Sequence, residues 1–248
     1  MIPLHDDNPT TRTPFVTVGL IVTCALVYLW QASLGPRSAQ AAVYSFGFIP
    51  AVVFEGARLP RELARVPPEL TLVTSMFLHG GFMHIAGNML YLWVFGNNIE
   101  DVCGHARFLL FYLLCGLVAA FAQALPDPAS EVPMIGASGA ISGVLGAYLL
   151  LFPHARVRVL IPFVFIFFTT IRAGWLLGFW FLFQLLSGLG TSSARGGVAF
   201  WAHVGGFVAG MVLIFVLRDP RWRTRLGGRR RGRSRLPDTS RRRSGPWS

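Results

Sequence analysis

Gly136-Ala137-Ser138-Gly139-Ala140-Ile141-Ser142-Gly143 opens an apolar run that reaches about Leu151. A serine flanked by small residues at a helix entrance can turn its hydroxyl into a crevice, because helices approach closely where side chains are small. To become a nucleophile the hydroxyl needs a base. Apart from His84, early in another apolar run, the basic side chain placed inside such a run on the same side is His203, in Trp201-Ala202-His203-Val204-Gly205-Gly206. Whether Ser138 and His203 can meet decides how the chain crosses its solvent.

That solvent is lipid. In 248 residues, 53% are hydrophobic and 13% charged, with a mean hydropathy of +0.54, far from the averages of a water-soluble domain. Several runs of roughly 17 to 20 residues lack Asp, Glu and Arg, and at about 1.5 Å per residue each can cross a hydrocarbon core about 30 Å thick. The composition predicts an all-α polytopic membrane protein with one embedded domain. All 22 basic residues are Arg, and 12 of them lie from Arg218 to Arg243, opposed there only by Asp219 and Asp238. A basic run directly after a span marks a cytoplasmic end facing anionic lipid more readily than a nucleic-acid arm. Cys24, Cys103 and Cys115 lie in or beside apolar runs without CxxC spacing, which predicts neither a disulfide framework nor a metal site.

Along the chain, residues 1–13 read as a short cytoplasmic leader, 14–217 as the helical domain and 218–248 as a disordered Arg-rich tail. Spans are expected at about Pro14–Leu34, Phe82–Gly96, Phe108–Leu125, Ile135–Phe152, Trp175–Leu186 and Val198–Leu217. The first is too long for the apolar core of a signal peptide. A long loop, 35–81, holds Glu55, Glu62, Glu69 and several prolines, and a glycine-rich loop covers Ser187–Gly197. The segment Arg156–Arg172 is ambiguous: it is apolar from Val159 to Ile171 but short, and it is interrupted by Pro162.

If that segment does not cross, six spans put Arg12, Arg107, Arg156, Arg158, Arg172 and the tail on one side, against Arg37, Arg58, Arg61, Arg65 and Arg195 on the other. This satisfies the positive-inside rule. A seven-span chain divides the arginines in the same way. With six, however, Ser138 and His203 lie at similar depth near the extracytoplasmic face, whereas with seven they face opposite sides and cannot reach the about 2.6–3.2 Å of a hydrogen bond. A Ser–His pair therefore requires six spans, with Val159–Ile171 as a cytoplasmic hairpin or interfacial piece.

Both helices carry small-residue stripes, Gly139 with Gly143 and Gly206 with Gly210, which in lipid let backbones approach. By itself a GxxxG step marks only a packing face, but here each stripe bears one reactive residue at the same depth. His84 and Asn88, four apart on one helical face, lie near that end too. Ser138 can serve as nucleophile and His203 as base, with the Ser138 N–H, the Asn88 amide and the His84 ring as oxyanion donors. With no Asp or Glu inside the expected spans, a Ser–His dyad is the economical reading. The same lack argues against an aspartyl protease, and the missing HExxH against a zinc protease. His79 and His84, five apart, do not align on a helix as a metal pair. No metal or other cofactor is expected.

These residues together resemble the rhomboid family of intramembrane serine proteases: Gly136-Ala137-Ser138-Gly139, Ala202-His203-Val204-Gly205-Gly206 with Gly210, the run His79-Gly80-Gly81-Phe82-Met83-His84-Ile85-Ala86-Gly87-Asn88, and Glu100 with Gly104. The resemblance covers roughly Pro14 to Leu217. It implies a six-transmembrane-helix bundle open to the extracytoplasmic side, with Ser138 as nucleophile, His203 as base, and His84 and Asn88 beside the oxyanion. It also implies transmembrane protein substrates, cut near their outer ends beside a small residue and helix-weakening ones. Independently of the resemblance, Gly136, Gly139, Gly143, Gly206 and Gly210 are expected as the helix-packing glycines. This chain departs from the family at Ser142, where many members carry an aromatic that packs on the catalytic ring. It departs again at Glu69-Leu70-Thr71-Leu72, where a Trp-Arg pair is common.

The rival readings are a catalytically silent rhomboid-like protein that binds transmembrane clients, a class that usually lacks the Ser or the His, and a transporter, for which the chain has no internal repeat. The expected location is a bacterial cytoplasmic membrane with both termini inside. Partners are substrates, membrane lipid and anionic lipid at the tail, with no nucleic acid. Removal of the residues beyond about Arg218 is expected to leave the cleavage chemistry intact, measured as the activity of a correctly inserted truncation.

Overall fold

A computed structural model describes residues 1–162, 166–190 and 198–222. Its helices are α1 (Phe15–Ser33), α2 (Pro36–Phe46), α3 (Pro50–Phe54), α4 (Thr71–Thr74), α5 (Phe82–Cys103), α6 (His105–Ala124), α7 (Ser138–Leu151), α8 (Ala173–Gly190) and α9 (Phe200–Leu217). Among the described residues, α1, α6, α8 and α9 are long and apolar enough to cross a membrane, and α7 is a shorter apolar helix. The Arg-rich tail beyond Trp222, with Arg195 and most of the glycine-rich loop, lies outside the described residues.

Helix α7 is the axis of the bundle. Ten of its residues, from Gly139 to Tyr148, are buried, and it packs most extensively on α9 and α6. A Cβ added at Gly206 would strike the Gly139 carbonyl, one at Gly210 the Gly143 backbone, and one at Gly146 the Phe207 carbonyl. These glycines let two backbones touch, which replaces the hydrophobic drive that lipid removes. Gly136, expected among the packing glycines, does not lie on this seam. It precedes α7 with φ of 120° and faces His84 instead.

The far end from Ser138 is tied by buried acids. Glu100 is fully buried, and its carboxylate accepts from the N–H groups of Val16 and Thr17 at 2.9 and 2.7 Å and from the Thr17 hydroxyl at 2.6 Å. It thereby satisfies donors that the first turn of α1 leaves unpaired. The His105 Nδ1 is 2.6 Å away on its other side. Gly104 turns between α5 and α6 with φ of 81°, and a Cβ there would collide with the Arg12 guanidinium, which pairs with Asp219 at 2.9 Å. Asp101 accepts from the Thr11 hydroxyl at 2.6 Å and the Arg12 N–H at 2.9 Å. Helix α5 therefore does not stop at Gly96, the expected end of the second span, but runs on to Cys103, because Glu100 caps α1 and Asp101 binds the residues that lead into it.

The all-helical expectation is amended by a sheet. β1 (Ile2–Asp6), β2 (Arg156–Pro162) and β3 (Ile166–Arg172) form an antiparallel sheet in the order β1-β2-β3, with Ile2 opposite Leu160 and Arg156 opposite Arg172. Val157 and Val159 are fully buried while Arg156 and Arg158 are exposed, the period of two that belongs to a half-buried strand. Arg156–Arg172 is thus a hairpin, and the leader supplies its third strand. The Tyr148 hydroxyl donates to the Asp6 carboxylate at 2.5 Å, which fastens the sheet to α7. Loop 35–81 is partly ordered by α2, α3 and α4, and Phe48 and Met134 exchange backbone hydrogen bonds of 3.0 and 2.7 Å that tie it to the approach to α7.

Packing continues past Leu217. The Asp219 N–H donates to the Val102 carbonyl at 2.9 Å, and the buried Trp222 meets the Phe152 ring edge-on at 6.0 Å. The packed part of the chain therefore extends past Arg218, the expected start of the tail, to Trp222. Ending the chain at Trp222 is expected to leave thermal unfolding in detergent unchanged, whereas ending it at Arg218 loses a buried Trp worth on the order of 3 kcal/mol and lowers the midpoint. Gly210→Leu is expected to cost at least about 1–3 kcal/mol by overpacking the α7–α9 seam, read in the same melting experiment.

Candidate active site

Ser138 is the first residue of α7 and His203 lies in the first turn of α9. The glycine contact that joins the two helices carries these side chains toward each other. His203 Nε2 and Ser138 Oγ are 2.8 Å apart across 65 residues of sequence. The ring is buried at 8% exposure, and the serine is half-buried. Because α7 begins at Ser138, the Ser138 N–H is among the leading donors of the helix, which have no intrahelical acceptor.

Helix α5 contributes His84 and Asn88 from its first two turns. Gly136 donates its N–H to the Ser75 carbonyl at 2.8 Å, and its position just before Ser138 is bordered by both side chains. A Cβ at Gly136 would lie 2.8 Å from the His84 ring and 3.9 Å from the Asn88 amide nitrogen. Asn88 is buried and donates to the His84 carbonyl at 3.1 Å. His84 is exposed, and its Nδ1 accepts from the Gly80 N–H at 3.3 Å, which leaves Nε2 on the side of Gly136. The structure thus gathers Ser138, His203, His84 and Asn88 at one end of the bundle, with hydrogen-bond contact between the first two. Gly139 and Gly206 lie directly beneath, and Gly143 and Gly210 one turn further along.

His79 stands apart from this group. It is buried in the loop before α5, its N–H donates to Gln31 Oε1 at 3.0 Å, and its ring meets that of His84 edge-on at 5.2 Å. Burial, and secondarily the neighbouring His84, lower its pKa to about 4, so it is a neutral structural residue at ordinary pH.

Sequence reasoning missed what holds His203. Ser142 donates its hydroxyl to the Ser138 carbonyl at 2.6 Å and does not support the imidazole. The support comes from α8: the Trp180 ring lies 5.7 Å from the His203 ring, tilted by 40°, and Gln184 Oε1 is 2.9 Å from His203 Nδ1. The signal was present in the sequence. Gln184 is a lone amide in an apolar helix, one turn from a tryptophan on the same face. The start of α9 is held further by Gln123 of α6, whose Oε1 accepts from the Ala202 N–H at 3.1 Å.

A small cavity of about 20 Å³ adjoins the serine, lined by Gly136, Ser138, Gly139, Ala199 and Ala202 among others. That is room for about one water or one methyl group.

The family model for the Rhomboid domain matches residues 60–220, about two thirds of the chain, and the match spans the whole of this site. The chain belongs to the rhomboid family. A rhomboid protease from Bacillus subtilis (strain 168), GluP, is 45% identical over 78 residues, which is 32% of this chain and 15% of that protein. RHOMBOID-like protein 5 of Arabidopsis thaliana is 36% identical over 91 residues, 37% of this chain and 29% of that protein. The mitochondrial presenilin-associated rhomboid-like protein of Bos taurus is 29% identical over 162 residues, 62% of this chain and 40% of that protein. This rhomboid domain thus aligns with less than half the length of each of these relatives, some named proteases and others rhomboid-like.

Within the domain, Gly136 joins two constraints, a positive φ and the His84 ring. Gly136→Ala is expected to lower stability by about 1–3 kcal/mol through backbone strain, measured by thermal unfolding. Adding His84→Ala is expected to recover only the part due to the clash, because the strain at φ 120° remains.

Proposed function

We propose that this chain is an intramembrane serine endopeptidase that hydrolyses peptide bonds in or near transmembrane segments of other membrane proteins. The observation that carries the reading is the 2.8 Å contact between His203 Nε2 and Ser138 Oγ, made at a helix entrance with a free-standing N–H. In this mechanism His203 takes the Ser138 proton as Oγ attacks the scissile carbonyl carbon. The C–O bond forms, and the carbonyl electrons collect on oxygen. The Ser138 N–H, the His84 ring and the Asn88 amide stabilise that oxyanion, each donor being worth about 10²- to 10³-fold in rate. Collapse expels the amine, which takes the proton from His203 and leaves an acyl-Ser138 ester. A water, deprotonated by His203, then adds to the ester, and collapse returns the proton to Ser138 Oγ and releases the acid.

The surroundings favour this chemistry within a membrane. Six crossings are proposed, by α1, α5, α6, α7, α8 and α9, so that both termini share the arginine-rich cytoplasmic side and the Ser138 end faces the extracytoplasmic side. The cavity of about 20 Å³ beside Ser138 suits a small side chain before the scissile bond. A helical peptide bond is already hydrogen-bonded, so residues that weaken the substrate helix must let it unwind before attack. The polar first loop with His84 and Asn88 supplies a route for water. The proposed setting is a bacterial cytoplasmic membrane, with anionic lipid at the tail. The rival, a client-binding protein without activity, draws on the relatives named only rhomboid-like.

Detergent-solubilised protein exposed to a fluorophosphonate is expected to gain one adduct by intact mass, lost in Ser138→Ala and reduced by at least about 10³-fold in rate in His203→Ala. A folded wild-type protein that gains no adduct would overturn the protease reading in favour of client binding.

A further inference from the structure

A neutral imidazole carries one N–H, and only the tautomer protonated at Nδ1 offers an Nε2 lone pair to a serine. Serine proteases of other folds set this tautomer with a buried carboxylate, and some cysteine proteases with an amide. In this chain the Nδ1 of His203 meets Gln184 Oε1 at 2.9 Å. Both side chains are buried, at 8% and 6% exposure, so water does not compete for the contact.

We propose that Gln184 is the positioning residue of this site: its amide oxygen accepts the Nδ1–H of His203 and thereby points the Nε2 lone pair at the Ser138 hydroxyl. The inference deepens the protease reading and rests on it for its catalytic meaning, while the tautomer itself is a property of the resting protein. The geometry supports a two-point hold from a single helix. Gln184 and Trp180 are four apart on α8, so one face of that helix bonds the ring nitrogen and covers the ring plane at 5.7 Å. Trp180 also lies 6.0 Å from Phe207, one turn beyond His203 on the same face of α9, so the tryptophan packs on that face at two points. The ring therefore has its rotation set by Gln184 and Ser138 at its two nitrogens and its tilt set by Trp180.

A neutral amide suits this location for a reason of charge. A carboxylate among these apolar helices would be a buried ion whenever His203 is neutral, costing several kcal/mol, whereas an amide orients the ring without that penalty. Around His203, α7 presents Ser138, α8 presents Gln184 and Trp180, and α6 presents Gln123 to the neighbouring Ala202. The titratable side chain that acts on it electrostatically is His84 of α5. A carboxylate introduced at position 184 would therefore be the dominant charge facing the ring. It would favour the imidazolium and move the acid limb of any His203-dependent rate to higher pH.

The test uses the full chain in detergent and two readouts. The first is the imidazole ¹⁵N spectrum, with His203 assigned by its loss in His203→Ala. The wild type is expected to show a protonated Nδ1 and an unprotonated Nε2, and Gln184→Met a mixture of tautomers. The second is the rate of fluorophosphonate labelling at Ser138 against pH. Gln184→Met is expected to slow it by between about tenfold and the about 10⁴-fold that a wrongly held tautomer can cost. Gln184→Glu is expected to restore most of the rate with its half-maximal pH raised, a shift that a purely structural role for the side chain would not produce.

A wild-type His203 protonated at Nε2, an unchanged spectrum in folded Gln184→Met, or a Gln184→Glu that labels no faster than Gln184→Met would each overturn the assignment. The wild-type spectrum decides the tautomer even where a variant does not fold. Failure of the wild type to label, with the Nδ1 tautomer present, would count against the protease reading and leave the positioning contact standing.

Discussion

Two backbones in contact are the constraint on which the rest of this molecule depends. Helices α7 and α9 approach so closely that added carbon atoms at Gly206 and Gly210 would strike the carbonyl or backbone of Gly139 and Gly143. In water such an approach would be one packing choice among several, but in lipid it is a main source of association, because exchanging a lipid tail for a leucine gains almost nothing. The consequence reaches the candidate site directly. Ser138 and His203 sit at the starts of these two helices, and their 2.8 Å separation is inherited from the seam below them. A looser seam would keep every residue of the site and lose the geometry.

Polar groups finish what the glycines begin, and they do so at opposite ends of the bundle. Away from the serine, Glu100 is wholly buried yet fully used, capping α1 and meeting His105. A buried carboxylate with so many donors serves as a fastener, because leaving it unpaired would cost more than any packing gain could offset. Gly104 follows from the same fastening, since Arg12 occupies the space where a side chain would be. Near the serine, the fasteners are amides: Asn88, Gln123 and Gln184 are each tied to a backbone group or a ring nitrogen. The buried carboxylates are thus gathered at the end away from Ser138, and neutral donors and acceptors at the end that holds Ser138 and His203.

The sheet at the far end shows the same economy by other means. The segment after α7 opens with alternating Arg-Val-Arg-Val and folds back as β2 and β3 with β1 laid alongside. Its buried valines belong to the same hydrophobic core as residues of α7 and α8, and Asp6 accepts from Tyr148 of α7. The amino terminus and the link between α7 and α8 are thereby joined at the end of the central helix, where Trp222 and Phe152 also meet.

The residues alone determined that the chain lives in a membrane, because apolar runs long enough to cross it follow from composition, and that Ser138, His203, His84 and Asn88 belong to one face of the problem, because reactive and polar groups in lipid demand partners. They determined the packing glycines Gly139, Gly143, Gly206 and Gly210, whose spacing is a local property of a helix. They did not determine the extent of α5, because the worth of Glu100 inside a helix depends on the first turn of α1, more than 80 residues earlier in sequence. Nor did they determine β1, a strand by virtue of a partner over 150 residues away, or the place of Gly136, whose positive φ is a property of the turn before α7. The hold on His203 was likewise decided only in three dimensions. One turn along α7 the chain has Ser142, and the aromatic ring and hydrogen-bond acceptor come from α8 instead, since contact between helices is set by how they pack and not by the order in which they occur.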